Sequence, residues 1–183
     1  VYKRQIHDCL PTPEGIQICR DYHIQMPMQS AFIGWKQEPD DYLEHILGHD
    51  RLEKLNPIRT FRDNNIVVSF GSDAPCTTPD PIAWMDRAVN NDNAGQAVSV
   101  QDALRMCTYN GAWAAFDEQK RGSLEAGKIA DMAVLSENPY TVPKDKLSCL
   151  RVERLYLGGK PYESCRESIL PMMLRGLTSR NKA

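Results

Sequence analysis

What the sequence lacks narrows it first. No apolar run approaches the roughly 18 residues that cross a bilayer, and no stretch reads as a secretory signal. Neither sign of charge is in excess: 22 basic residues face 24 acidic ones, for a net charge of −2. That balance excludes a broad basic face for nucleic acid. The six cysteines, Cys9, Cys19, Cys76, Cys107, Cys149 and Cys165, include no Cys-x-x-Cys pair. Scattered thiols argue against a zinc knuckle or a disulfide scaffold, and for a reducing compartment. The four histidines, His7, His23, His45 and His49, are never two apart, so there is no His-x-His metal motif. There is no internal repeat and no low-complexity tract. The expectation is a soluble, cytoplasmic protein with neither nucleic acid nor membrane as partner.

What is present alternates strand and helix. Thr12-Pro13 reads as an N-cap with Pro at the first helical position, opening a helix that ends near Tyr22 with Ile16 and Cys19 inward. Residues 23–29 alternate apolar side chains at Ile24, Met26 and Met28 as a strand does, and Pro27 points to an edge or a strand end. Residues 30–55 read as a long charged insertion with Phe32, Trp35 and Tyr42, of a length that suits a lid or binding loop. Pro57 to Asp63 reads as a short helix, and Asn64-Asn65 turns into a strand at Ile66 to Phe70. Pro79-Asp80-Pro81 starts another helix with Ile82, Met85 and Val89 on one face. Ser99 with Asp102 forms a capping-box pattern ahead of a stripe of Val100, Ala103, Leu104 and Cys107. Strands alternating with helices imply parallel βα units. After Phe116 the pattern becomes strands at Met132–Leu135, 150–157 and 160–163, with Gly158-Gly159 as a hairpin.

Chemistry concentrates at the end of the Val67-Val68-Ser69-Phe70 strand. Gly71-Ser72 ends that strand and leaves Asp73 at its carboxyl end, where α/β sheets and barrels carry their active residues. A carboxylate there can bind a metal or act as a general base. An Asp before Ala74-Pro75 equally suits the capping of a turn.

A second block is Arg121-Gly-Ser-Leu-Glu-Ala-Gly-Lys-Ile-Ala-Asp-Met-Ala-Val-Leu135. With Phe70-Gly-Ser-Asp-Ala-Pro75 and Tyr109-Asn-Gly-Ala-Trp113, it resembles the carboxyl-terminal part of metal-dependent amidohydrolases, in the amidohydrolase-3 (YtcJ-like) group. The similarity runs from about His7 to Glu163.

The resemblance implies an α/β fold: the carboxyl-terminal part of a TIM-type (β/α)8 barrel plus part of a small β-sandwich domain. Residues 6–118 would be the partial barrel, 119–163 the β-domain portion and 164–183 a tail with the apolar run Ile169 to Leu174. Such a barrel needs about 250 residues, against 183 here, and the family's first metal motif is absent. The expectation is the last third of an enzyme. Val1-Tyr2-Lys3-Arg4-Gln5 can be encoded by GTG-TAT-AAG-AGA-CAG, the end of a transposase adapter, so residues 1–5 read as non-native.

The resemblance also supplies roles. Asp73 matches the strand-8 Asp that ligates a metal and serves as general base. His7, six residues before Pro13, matches the metal-binding His after strand 6, with Ile6 where the family usually has Glu. The cofactor implied is a divalent metal, zinc foremost, as one or two ions; no organic cofactor is implied. The activity implied is hydrolysis of non-peptide carbon–nitrogen bonds in a small amide-like substrate of N-acyl or N-formyl type, the fragment itself being inactive. A homo-oligomer is compatible with this. The alternatives are a non-catalytic remnant and a subunit completed by a partner chain.

Other residues have milder readings. His45 and His49 could share one helix face, and a solvated face of the insertion suits them better than a metal site. Cys76 reads as a small buried thiol, and Trp84, Trp113 and Phe116 read as core. Arg59 and Asn110 resemble frequent family residues near the barrel mouth and receive no catalytic role.

Overall fold

The computed structural model describes residues 7–162, so residues 1–5 and the tail at 164–183 lie outside the described residues. Helix α1 (Pro13–Asp21) starts as its sequence dictates: Thr12 Oγ1 accepts the Gly15 N–H at 3.1 Å and Pro13 fills the first turn. Strand β1 (Met26–Met28) follows, then a 3₁₀ turn (Ser30–Phe32), α2 (Asp40–Leu47), α3 (His49–Leu52) and α4 (Ile58–Asp63). Strand β2 (Val68–Phe70) leads to α5 (Pro81–Val89), α6 (Val100–Cys107) and α7 (Tyr109–Ala114). Asp80 caps α5, and Ser99 and Asp102 close both halves of the capping box on α6.

Strands β1 and β2 are parallel, with Met26 opposite Val68 and Met28 opposite Phe70. Side chains alternate across a strand, so this pair has two unlike faces. Met26, Met28 and Val68 are fully buried against Ile58 and Phe61 of α4, Met85 of α5 and Met106 of α6. Burying each such side chain is worth about 1.5–3 kcal/mol, and this core fixes the sheet under the site. The opposite face carries Gln25, Pro27, Gln29 and Ser69. Gln25 is wholly buried, yet neither amide atom has a partner among the described residues. Pro27 presents its missing N–H away from β2, as an edge position requires.

The remaining strands, β3 (Met132–Leu135), β4 (Val152–Leu157) and β5 (Lys160–Pro161), form a separate antiparallel sheet in the order β3-β4-β5. A 3₁₀ segment (Lys144–Cys149) between β3 and β4 buries Leu147 in the main core. Arg121 to Asp131 wraps against α7. Gly122 has φ +91°, and a Cβ there would sit 2.6 Å from the Ala112 Cβ, so only glycine fits.

Three local expectations are corrected. The insertion is not one long loop: Asp40 and Asp41 favour the start of α2, and Gly48, at φ 79°, ends it and opens α3. His45 and His49 therefore lie on different helices, both exposed; His49 sits between Glu44 and Glu53. Phe116 is not core but 61% exposed, because it occupies the left-handed position after α7 where the chain turns outward.

Candidate metal centre

His7 and Asp73 meet at the carboxyl ends of the parallel strands. The His7 N–H donates to the Pro27 carbonyl at 3.3 Å, which sets His7 beside β1 on the side away from β2. Asp73 follows β2 by three residues. The His7 Nε2 and Asp73 Oδ2 atoms are 3.7 Å apart, with side chains 39% and 41% exposed.

Both residues have left-handed backbone, at φ 68° for His7 and 52° for Asp73. His23, Asn65 and Phe116 share that conformation just past the end of a helix, where it is a common stop, and Asn56 shares it ahead of Pro57. His7 and Asp73 have no helix to end. Their backbone is held by neighbours: the Cys76 N–H donates to the Asp73 carbonyl at 2.9 Å, and the Thr77 hydroxyl donates to the Ser72 carbonyl. Strain of about 1–3 kcal/mol per such residue persists where surrounding structure imposes it, and it concentrates at functional sites.

At 3.7 Å the pair is within ion-pair range and too long for a hydrogen bond. An ion about 2.0–2.2 Å from an imidazole nitrogen and a carboxylate oxygen holds them about 3.4 Å apart at a tetrahedral angle. The observed span matches a slightly wider angle. Among the described residues no group of three or more His, Cys, Asp or Glu converges, so only these two potential ligands meet at this point.

The imidazole is braced by aromatics that the sequence placed only in a generic insertion. His7 stacks on Phe32 at 6.1 Å, and Phe32 meets Trp35 at 5.0 Å. The Phe32–Trp35 spacing after a 3₁₀ turn was the available signal. Beside Asp73 lies a cleft of about 620 Å3 between the 31–37 and 74–79 segments, with Arg87 of α5 at its edge. Cys76 lines this cleft and is exposed, not buried, because the 73–77 turn closes on its own backbone and leaves the thiol outward. Burial instead pushes the Cys107 thiol up to about 12. Asn110 acts structurally: its Nδ2 donates to the Val68 carbonyl at 2.6 Å and pins α7 to β2. Arg59 pairs with Asp63 on its own helix.

The model of the amidohydrolase family matches residues 4–162. The chain belongs to the amidohydrolase family. Over 152 residues it is 33% identical to the N-substituted formamide deformylase of Arthrobacter pascens, covering 79% of this chain and 26% of that protein. It is 27% identical over 124 residues to the putative amidohydrolase YtcJ of Bacillus subtilis, covering 62% of this chain and 23% of that one. This amidohydrolase chain thus spans about a quarter of the length of the curated relatives it matches. Its fold matches an adenosine deaminase from Xanthomonas campestris solved with bound zinc, with a TM-score of 0.63 at 18% identity. The match covers 98% of this chain and 42% of that one. No helix among the described residues is long and apolar enough to cross a membrane.

Proposed function

We propose that this chain supplies the carboxyl-terminal part of a metal-dependent hydrolase of carbon–nitrogen bonds other than peptide bonds. The observation that carries this reading is the 3.7 Å approach of His7 Nε2 to Asp73 Oδ2 at the carboxyl ends of adjacent strands. Residues 6–118 then contribute the last strands and helices of a TIM-type barrel, and 119–163 part of a small β domain. The buried, unpartnered Gln25 amide supports a barrel interior completed by other residues, since such an orphan group costs about 1–3 kcal/mol.

In this reading His7 and Asp73 would hold a divalent cation, zinc foremost. Bound there, it would polarise the amide carbonyl and make water a nucleophile near neutral pH. Asp73 takes the proton of the attacking water through a carboxylate oxygen. His7 keeps its ring plane because its backbone is fixed to Pro27 and its face lies on Phe32. The relative named as an N-substituted formamide deformylase supports a substrate of N-formyl or N-acyl amine type. Two corners of a coordination sphere do not make a tight site, so this chain alone binds metal weakly and does not turn over.

Calorimetric titration of the 183-residue chain with Zn2+ tests the assignment. One weak, saturable site is expected, and it is lost in both His7→Ala and Asp73→Asn while circular dichroism is unchanged. Undiminished binding in both variants overturns it.

A further inference from the structure

We propose that the cleft beside Asp73 is the subsite for the substrate's nitrogen substituent, and that it selects a planar, aromatic group ending in an anion. This rests on the reading above only in taking His7 and Asp73 to mark the scissile bond. The cleft begins at Ala74 and Pro75, the residues after Asp73, and runs to Arg87. Its size, about 620 Å3, is that of small-molecule pockets, which run from about 300 to 1,000 Å3.

The walls indicate what fills it. Trp35 and the Pro75-Cys76-Thr77 segment both line the cleft, and Trp35 meets Phe32, which stacks on the His7 ring. An indole and a proline in one cleft suit a flat ring, and aromatic pairs gain about 0.5–1.5 kcal/mol beyond their buried area. The far edge carries Arg87, which makes no ion pair or hydrogen bond among the described residues. Its guanidinium lies close to Gly34, where a Cβ would come 3.0 Å from Arg87 Nη1 and 2.8 Å from Asp92 Oδ2, so the Asp92 carboxylate is near it without forming an ion pair. A guanidinium with no hydrogen bond to the described residues is a two-pronged hydrogen-bond donor to a carboxylate. Among the described residues no other charged side chain lines the cleft. A substituent such as a carboxylated benzyl group therefore satisfies both ends, whereas a short alkyl group satisfies neither.

Binding to the full 183-residue chain can be read without metal and without turnover. The probe is 4-(formylaminomethyl)benzoate, compared with N-benzylformamide and N-butylformamide in buffer containing chelator. The readout is the Trp35 indole N–H resonance, assigned with Trp35→Phe. The benzoate should shift that resonance saturably and bind about tenfold more tightly than the benzyl probe, equivalent to about 1.4 kcal/mol. The butyl probe should not saturate. Arg87→Gln should erase the difference between benzoate and benzyl, and Trp35→Ala, followed by calorimetry because it removes the reporting resonance, should abolish binding of both while circular dichroism stays unchanged. An unmoved Trp35 signal, or a benzoate preference retained in Arg87→Gln, overturns the proposal. Because zinc is excluded, failure here leaves the metal titration standing, and failure of that titration leaves this result standing.

Discussion

Two motifs of this chain, Gly71 to Pro75 and Arg121 to Asp131, use their charges in opposite ways. In the second block every charge is committed to the fold. Asp131 Oδ1 accepts the Gly158 N–H at 2.8 Å, tying the β4–β5 hairpin down, while its Oδ2 lies 3.3 Å from Arg121 Nη1. Arg121 also pairs with Asp117, and Lys128 donates to Ser123 Oγ at 2.6 Å while lying over the Tyr109 ring. In the first block Asp73 has one charged neighbour among the described residues, His7, beyond hydrogen-bond range. It sits on left-handed backbone at a strand end, with room around it. A motif whose charges are all paired is architecture. One whose carboxylate meets a single imidazole, exposed and on left-handed backbone, keeps room for a further partner.

The largest effect should come from breaking the first motif. In the parent enzyme, Asp73→Asn keeps the size of the side chain and removes its basicity, and a general base is worth about 10²–10⁴-fold in rate. Turnover of an N-formyl amine should fall by that much while the thermal midpoint stays within a few degrees. Wild-type rates would remove Asp73 from the mechanism.

Breaking the second motif should do the reverse. Gly122→Ala places a methyl group 2.6 Å from the Ala112 Cβ and 3.1 Å from the Tyr109 Cα, at a φ of +91° that alanine resists. Steric overlap and backbone strain are each worth about 1–3 kcal/mol. The urea midpoint of this chain should fall accordingly, with zinc binding at His7 and Asp73 intact below the transition. A stability unchanged within error would mean that the motif wraps α7 less tightly than its geometry indicates.

What was legible in the sequence was local. Thr12, Asp80 and Ser99 announce their helices because a cap is a contact within three residues, and Gly71-Ser72-Asp73 announces a strand end for the same reason. The pairing of β1 with β2 and the approach of His7 to Asp73 depend on chain segments more than forty and more than sixty residues apart. Residue periodicity carries no such information, and only the family resemblance brought His7 and Asp73 into one site. The bracing of His7 by Phe32, the outward thiol of Cys76 and the Arg87 edge of the cleft went unread because they arise from how the 3₁₀ turn and the 73–77 turn pack. The helices at 40–52 were missed because each is short, and the break between them rests on Gly48 alone.

The smallest effect concerns the α4–α6 brace beneath β2. Asp102 closes the α6 capping box and also receives Arg62 of α4: Ser99 Oγ donates to its Oδ2 at 2.7 Å, and Arg62 Nη1 does so at 2.6 Å. Burial pushes the Asp102 carboxyl up, but the Ser99 hydroxyl and the Arg62 guanidinium outweigh it and hold the group below its usual value. A carboxylate that titrates lower in the folded chain than in the unfolded one binds its proton more readily when unfolded. Its contribution is therefore present above the unfolded value, about 3.9, and is lost as pH falls through the depressed folded value. The Asp102 side chain is 30% exposed, so solvent and salt screen much of the interaction, and the effect should stay near that of one helix cap, about 1 kcal/mol. Wild type and Asp102→Asn should differ in urea midpoint at neutral pH and converge in acid, once the pH is below the depressed folded value, the gap narrowing in high salt. A difference that persisted unchanged into acid would show that Asp102 holds α6 by shape and not by charge.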